Sequence, residues 1–243
     1  MQYSIIGDAS QCVVTQMTLG DEIRAEVATL VLVSDGIALE AAANTSVMRV
    51  SVLPVQNAPI PLTTFRCSSS TGVVGFAAPF SGEVRELPLK GATWYCARES
   101  FLLTSRDVTT VIGFAEAIET GYFKEGGFIL YHLAGYGEAY IQCGGNVIEY
   151  DLTHGQRVTA DLGCVAAFQD TVTFNLERFA DIPTSQGGTD TLYLMTLTGP
   201  GRIYLATLPL ARMSQAVRHE RPVMMRPPAH TAPDSLGNLI REL

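Results

Sequence analysis

An internal repeat constrains the fold of this chain more than any other feature. Three segments align without gaps: 19–38 (LGDEIRAEVATLVLVSDGIA), 90–109 (KGATWYCARESFLLTSRDVT) and 154–173 (HGQRVTADLGCVAAFQDTVT). Each has a glycine in second place, and apolar positions then coincide at Ile23/Trp94/Val158, Ala25/Cys96/Ala160, Leu30/Phe101/Val165, Leu32/Leu103/Ala167 and Ile37/Val108/Val172. A repeated unit that cannot bury its apolar face alone packs against its neighbours. We therefore expect three copies around a shared core.

A second block repeats with the same spacing. Residues 128–142 (FILYHLAGYGEAYIQ) match residues 192–206 (LYLMTLTGPGRIYLA) at an offset of 64, which is also the offset between Gly91 and Gly155. A fainter copy covers residues 62–77. Two independent blocks with one offset indicate a true structural repeat.

The repeated unit has the pattern of β-strands. Residues 171–176 alternate, with Val172, Phe174 and Leu176 on one face, and the other apolar runs are short and rich in β-branched or aromatic residues. The Gly-x-Gly pairs at 135/137 and 199/201 fall between strands, where we expect hairpin turns. The predicted fold class is all-β, with three diverged antiparallel units forming a pseudo-threefold barrel or prism.

The end of the chain departs from this pattern. Apolar residues behind Pro209 predict an amphipathic helix over residues 208–219, which closes a triplicated β domain of residues 1–220. Residues 221–243 are expected to form a proline-rich extended tail with a short terminal helix, whose apolar stripe is Leu236, Leu239, Ile240 and Leu243. A short helix is unstable alone, so the stripe docks on its own body or on a neighbouring subunit.

Charge is unevenly distributed. The net charge is −8, yet residues 200–230 hold five arginines against one acid, a local net of +4, which leaves −12 for the remainder. An acidic body with no basic belt argues against nucleic-acid binding. The basic segment makes an anionic membrane surface a possible partner, and its interaction candidates are Arg202, Arg212, Arg218 and Arg221.

The sequence contains no motif that carries chemistry. No Cys-x-x-Cys pair, His-x-His pair, nucleophile elbow, phosphate-binding loop or dinucleotide fingerprint occurs. We therefore predict no catalytic, cofactor-binding or metal-ligating residue. Five widely spaced cysteines and an N-terminus without an apolar core of a signal peptide indicate a cytoplasmic protein, with peripheral membrane contact left open.

Several blocks resemble one family, the altered-inheritance-of-mitochondria family, which is largely bacterial. The similar stretches are 3–33, 126–142 (GGFILYHLAGYGEAYIQ), 152–168 (LTHGQRVTADLGCVAAF) and 199–217 (GPGRIYLATLPLARMSQAV), so that the resemblance covers about residues 3–220. Gly126–Gly127 stand where the family usually has Gly-Glu. The resemblance implies a fold like that of the tryptophan-binding RNA attenuation protein, and it brings no catalytic residues.

Three functions follow from these observations. The first is a non-enzymatic interaction or scaffold protein that assembles with copies of itself and touches membranes peripherally. The second is a small-ligand-binding module, by fold analogy with the attenuation protein. The third is an enzyme, which would need a polar cluster that breaks the threefold pattern at one place in the interior.

Overall fold

The computed structural model describes residues 1–42, 56–118, 123, 127–183 and 189–210, and this part of the chain is almost entirely β. Its strands are β1 (Gln2–Ile6), β2 (Cys12–Thr18), β3 (Glu22–Ala25), β4 (Leu30–Val33), β5 (Ile37–Glu40), β6 (Thr63–Cys67), β7 (Thr71–Phe76), β8 (Gly82–Leu87), β9 (Trp94–Ala97), β10 (Phe101–Ser105), β11 (Val108–Glu116), β12 (Phe128–Gly135), β13 (Ala139–Gly144), β14 (Val147–Leu152), β15 (Arg157–Asp161), β16 (Val165–Gln169), β17 (Thr173–Pro183), β18 (Thr189–Thr198) and β19 (Gly201–Ala206).

These strands form three six-stranded units that follow one plan. Unit 1 is β2–β7, unit 2 is β8–β13 and unit 3 is β14–β19, and a short 3-10 turn joins the second strand to the third in each. In every unit the sixth strand pairs with the first and the third, while the fifth pairs with the second and the fourth. The added strand β1 pairs with β2. The predicted triplication is thus confirmed at the level of strand pairing.

The three repeat glycines occupy one conformation. Gly20, Gly91 and Gly155 have φ values of +88°, +89° and +73°, a region that other residues adopt only under strain. Each amide N–H donates to a carbonyl oxygen at or directly after the end of the fifth strand of its unit, at 2.9, 3.3 and 3.2 Å for Cys67, Gly135 and Gly199 respectively. The glycines are required because this turn has positive φ in all three units.

The Gly-x-Gly pairs do not form hairpins, in contrast to our expectation. They connect the fifth strand to the sixth, but β12 pairs with β11 and β9, whereas β13 pairs with β10 and β8. The chain at these pairs therefore crosses from one sheet to another. Gly135 and Gly201, with φ values of +145° and +143°, allow this sharp corner.

Neighbouring units are joined by one further strand pair. The third strand of unit 2, β10, pairs with the second strand of unit 1, β3, and β16 of unit 3 pairs with β9 of unit 2 in the same way. Two six-stranded sheets result, in the orders β5-β6-β3-β10-β13-β8 and β11-β12-β9-β16-β19-β14. The other halves of units 1 and 3 remain as a four-stranded sheet, β1-β2-β7-β4, and a three-stranded sheet, β15-β18-β17.

The barrel that we predicted as one form of the threefold fold is wrong, because the sheets do not close. A closed ring of three units would need β4 to pair with β15, and these two strands pair only with β7 and β18. The sheets of the described residues are therefore open. The fold is all-β and triplicated, but units 1 and 3 each keep an edge strand, β4 and β15 respectively, without a neighbouring unit.

The apolar core lies between the sheets and follows the repeat. Ile23 and Trp94, at one repeat position, are fully buried, and the indole of Trp94 stacks on Tyr204 with ring centroids 5.4 Å apart. One cluster combines β2, β3, β6 and β7 of unit 1 with side chains from β8, β10 and β13 of unit 2. Units 1 and 2 therefore share a core and not only a hydrogen-bonded edge.

The predicted C-terminal helix over 208–219 is not supported. Thr207 and Leu208 form a bend, and residues 211–219 lie outside the described residues. The extended tail and short helix predicted for 221–243 also lie outside them.

Candidate assembly interface

Among the residues that the structure describes, the third strand of unit 1 and the second strand of unit 3 each have one unpaired edge. β4 is the last strand of its sheet and β15 the last of its own, whereas the equivalent strands in the other units are paired on both sides. An unpaired edge presents free N–H and C=O groups that can accept another strand. These two edges are the places where the threefold plan is incomplete.

The side chains of β4 are exposed where their counterparts are buried. Val31, Leu32 and Val33 are 57%, 42% and 40% exposed. The equivalent residues in units 2 and 3 are at most 1% exposed; they are Leu102, Leu103, Thr104, Ala166, Ala167 and Phe168. Three adjacent aliphatic side chains on an open edge are unusual for a surface strand, which commonly carries a charge there.

The backbone of β4 has the shape of a paired third strand. Its pairing with β7 shifts between Leu30 and Leu32, so that Val31 is the extra residue of a β-bulge. The same shift occurs at Leu102 in β10 and at Ala166 in β16. A bulge twists a strand locally, so β4 already has the shape that its equivalents use to receive a neighbour.

The second edge, β15, is also more exposed than its equivalents. Val158 and Ala160 are partly exposed in β15, while Ile23, Ala25, Trp94 and Cys96 at the same two repeat positions are all fully buried. Arg157 and Thr159 point to solvent. The apolar side of β15 thus lacks the cover that the third strand of a following unit provides elsewhere.

The two internal junctions show how such edges pair. In one, Leu103, Thr104 and Ser105 lie opposite Ala25, Arg24 and Ile23, and in the other Ala167, Phe168 and Gln169 lie opposite Cys96, Tyr95 and Trp94. The amide of the next residue, Arg106 or Asp170, donates to the carbonyl of Glu22 at 3.2 Å or of Thr93 at 3.1 Å. The register is identical in both junctions.

A polar cluster lies at the junction of units 1 and 2. The Tyr131 hydroxyl donates to Glu26 Oε1 at 3.0 Å, and Arg98 Nη2 donates to Glu99 Oε1, also at 3.0 Å. Burial raises the pKa of the Glu99 carboxyl, an effect that the Arg98 charge opposes. Burial and the nearby Glu26 carboxylate raise the pKa of Tyr131. The equivalents of Glu99 are Ala28 and Gly163, so this cluster breaks the repeat pattern at one place.

The space beside this cluster is small. A cavity lined in part by Glu99, Phe123 and Leu162 measures about 20 Å³, which holds roughly one water molecule. Its lining is largely apolar apart from the Glu99 carboxyl, and a volume of this size does not admit a substrate-sized molecule.

A larger cleft opens on the surface beside β11 and β17. It measures about 420 Å³ and is lined by Phe114, Phe174, Tyr193 and Arg178, among others. The Arg178 guanidinium is paired with the Asp181 carboxylate at 2.6 Å. Clefts of this size accommodate small ligands.

Of the predicted interaction residues, Arg202 is the one that falls within the described part of the chain. Its guanidinium pairs with Glu149 at 2.7 Å and with Asp151 at 2.8 Å, which offsets its charge. The others lie outside the described residues: Arg212, Arg218, Arg221, Leu236, Leu239, Ile240 and Leu243. The residues of the two open edges were not among the predicted interaction residues. The sequence contains no signal for them, because Leu32 holds the same apolar repeat position as its buried equivalents Leu103 and Ala167.

The described ranges offer neither a metal site nor a membrane-spanning helix. They hold no group of three or more His, Cys, Asp and Glu side chains placed to bind a metal ion. His132 packs against the ring of Tyr95, with centroids 5.1 Å apart. In the same residues, no helix has the length and apolar character needed to cross a membrane.

Comparison with known proteins agrees with this fold. A crystal structure of a Streptococcus pyogenes protein, from a structural genomics consortium, matches with a TM-score of 0.70 and 16% sequence identity, covering 90% of this chain and 98% of that one. At this identity the likeness shows the fold alone. None of the curated proteins searched matches the chain. The family model for mitochondrial biogenesis AIM24 matches residues 3–208, and the chain therefore belongs to the AIM24 family, as the resemblance of its sequence blocks indicated.

Proposed function

We propose that this protein is a non-enzymatic scaffold that self-associates through its open sheet edges. The observation that carries the proposal is the exposure of Val31, Leu32 and Val33 on an unpaired strand, at repeat positions that are buried in the other two units. Exposed aliphatic side chains beside free backbone groups favour the addition of a strand from another chain.

The remaining features of the described residues are compatible with this role. The polar cluster at Glu26, Glu99 and Tyr131 is internally paired, and the adjoining cavity has room for about one water molecule. A scaffold needs stable surfaces for assembly, and the two open edges supply them. Membership of the AIM24 family brings no reaction with it.

Analytical ultracentrifugation of the full chain tests the proposal. We expect a mass above that of the monomer that rises with protein concentration, and a shift towards monomer for Leu32→Lys, since a buried lysine in the new sheet would be costly. Leu19→Lys is the matched control, because Leu19 is 69% exposed in the turn between β2 and β3 and belongs to neither edge strand. A wild-type chain that stays monomeric at high concentration would refute the proposal.

A second function, binding of a small ligand, is favoured by the 420 Å³ cleft with its aromatic lining. A thermal-shift screen of amino acids and other small metabolites tests it, with Phe174→Ala and Tyr193→Ala as variants that remove the lining. Stabilisation of the wild type that is lost in both variants would support binding in the cleft. Stabilisation that persists in both would place the ligand elsewhere.

A further inference from the structure

We infer that the partner of β4 is β15 of a second copy of this chain, joined head to tail in the register of the internal junctions. This inference rests on the proposed self-association and names the partner and the contact. The structure contains the two halves of one junction at opposite ends of the repeat array, and each half has the strand shape and apolar face that the other needs.

The repeat fixes the register of the contact. In both internal junctions the residues equivalent to Leu32, Val33 and Ser34 lie opposite those equivalent to Ala160, Thr159 and Val158. The intermolecular pairs are therefore Leu32 with Ala160, Val33 with Thr159 and Ser34 with Val158. The amide of Asp35 then donates to the carbonyl of Arg157, as Arg106 and Asp170 do to Glu22 and Thr93.

Charge complementarity supports this match. In the first internal junction Arg106 Nε lies 3.7 Å from Glu22 Oε2. The equivalent of Arg106 is Asp35 and the equivalent of Glu22 is Arg157. Pairing β4 of one copy with β15 of another therefore brings an acid and a base together at these positions, with the signs exchanged. Asp35 and Arg157 are exposed. Neither has an ion-pair partner among the residues that the structure describes, and pairing with each other would satisfy both.

The symmetry of the assembly follows from this contact. A contact between two different edges is heterologous, because each copy offers β4 to one neighbour and β15 to another. Such a contact repeats from copy to copy until a ring closes, of which a dimer with two reciprocal β4–β15 contacts is the smallest, or it continues as a filament. The two incomplete sheets, β1-β2-β7-β4 and β15-β18-β17, become one continuous sheet across each contact.

A charge exchange tests the pairing. Asp35→Arg and Arg157→Asp each place like charges together, and we expect each to weaken assembly of the full chain by about tenfold or more in sedimentation equilibrium. The double variant restores the pair and should recover most of that loss. Asp170→Arg is the matched control, since Asp170 holds the same repeat position at an internal junction and is exposed. Failure of the double variant to recover would overturn the pairing.

A crosslinking experiment tests the register. In a Cys12→Ser, Cys164→Ser background, which removes the two partly exposed thiols, chains carrying Val33→Cys are mixed with chains carrying Thr159→Cys. Oxidation should link the two chains, because directly opposed residues are within disulfide range. Replacing Thr159→Cys by Ala160→Cys moves the thiol to the other face of the strand and should abolish the link.

The outcomes separate the two proposals. A monomeric wild type refutes self-association itself. An oligomer that is insensitive to the charge exchange and gives no in-register crosslink refutes the β4–β15 pairing while the scaffold proposal stands. A disulfide formed within one chain carrying both cysteines would also overturn it, because it would show that the edges meet inside the monomer.

Discussion

Leu103 and Leu32 occupy the same repeat position, yet we expect their replacement by alanine to affect different properties. Leu103 is fully buried and packs in the core that units 1 and 2 share. Deleting a buried leucine side chain to alanine costs about 2–5 kcal/mol in the free energy of unfolding, because transfer and cavity terms add. For Leu103→Ala we therefore expect a loss of about 3 kcal/mol and no specific effect on assembly.

The effect of Leu32→Ala follows from its exposure. Leu32 is 42% exposed, and fully burying a leucine is worth about 1.5–3 kcal/mol. Burying the exposed part at an interface is then worth about 0.6–1.3 kcal/mol per contact, or a roughly 3- to 9-fold change in the dissociation constant. The monomer loses only the part that is already buried, about 0.9–1.7 kcal/mol by the same scale.

Two measurements check this contrast. Urea denaturation at a concentration where the chain is monomeric gives the free energy of unfolding without the contribution of assembly. Sedimentation equilibrium gives the dissociation constant of folded subunits. If Leu32→Ala lowers the unfolding free energy as much as Leu103→Ala and leaves the dissociation constant unchanged, then Leu32 is an ordinary core residue and the assembly argument is wrong.

Three further predictions concern the interior of the described chain. Tyr131→Phe removes the hydrogen bond to Glu26 and should lower the unfolding free energy by about 1–2 kcal/mol in urea denaturation; an unchanged value would show that the bond is not formed in solution. Because burial raises the pKa of Glu99 above its ordinary value of 4.5, the folded protein keeps a proton that the unfolded chain releases, so the unfolding free energy should fall as pH rises from 4.5 through the raised pKa. Urea series across that window should show the fall in the wild type and a flatter profile in Glu99→Gln; equal profiles contradict the burial of this carboxyl. Gly82→Ala places a Cβ against the carbonyl oxygen of Cys143 on the paired strand, closer than any real contact, and we expect the unfolding free energy to fall by about 1–3 kcal/mol. An unchanged melting temperature in thermal denaturation would contradict this.

Much of the unit could be predicted from the sequence because its signals are local. Alternation at Val172 and Phe174 predicts a half-buried strand, and β17 begins directly after the buried Val172, with Phe174 partly buried within it. Gly91 predicts a turn with positive φ, and its φ is +89°. Trp94 was predicted to be core from its repeat position, and it is fully buried. Each of these follows from backbone geometry or from apolar periodicity over a few residues.

The polar cluster at the unit 1–unit 2 junction could not be predicted in this way. Glu26 and Tyr131 are 105 positions apart, and the repeat alignment gives no sign that they meet. A hydrogen bond of this kind depends on how two units pack, which no local pattern encodes. The Gly-x-Gly corners illustrate the same limit, since the sequence shows a sharp turn at Gly135 but not which strands lie beside it.

The amino-acid sequence alone reveals that one β unit occurs three times, with a glycine at the same turn in each. That the third junction stays open is visible only in the folded chain. Leu32 is apolar like its buried equivalents Leu103 and Ala167, so residue type does not distinguish a covered strand from an uncovered one. The difference arises because β10 and β16 each pair with a preceding unit, whereas β4 has no preceding unit and β15 has no following one.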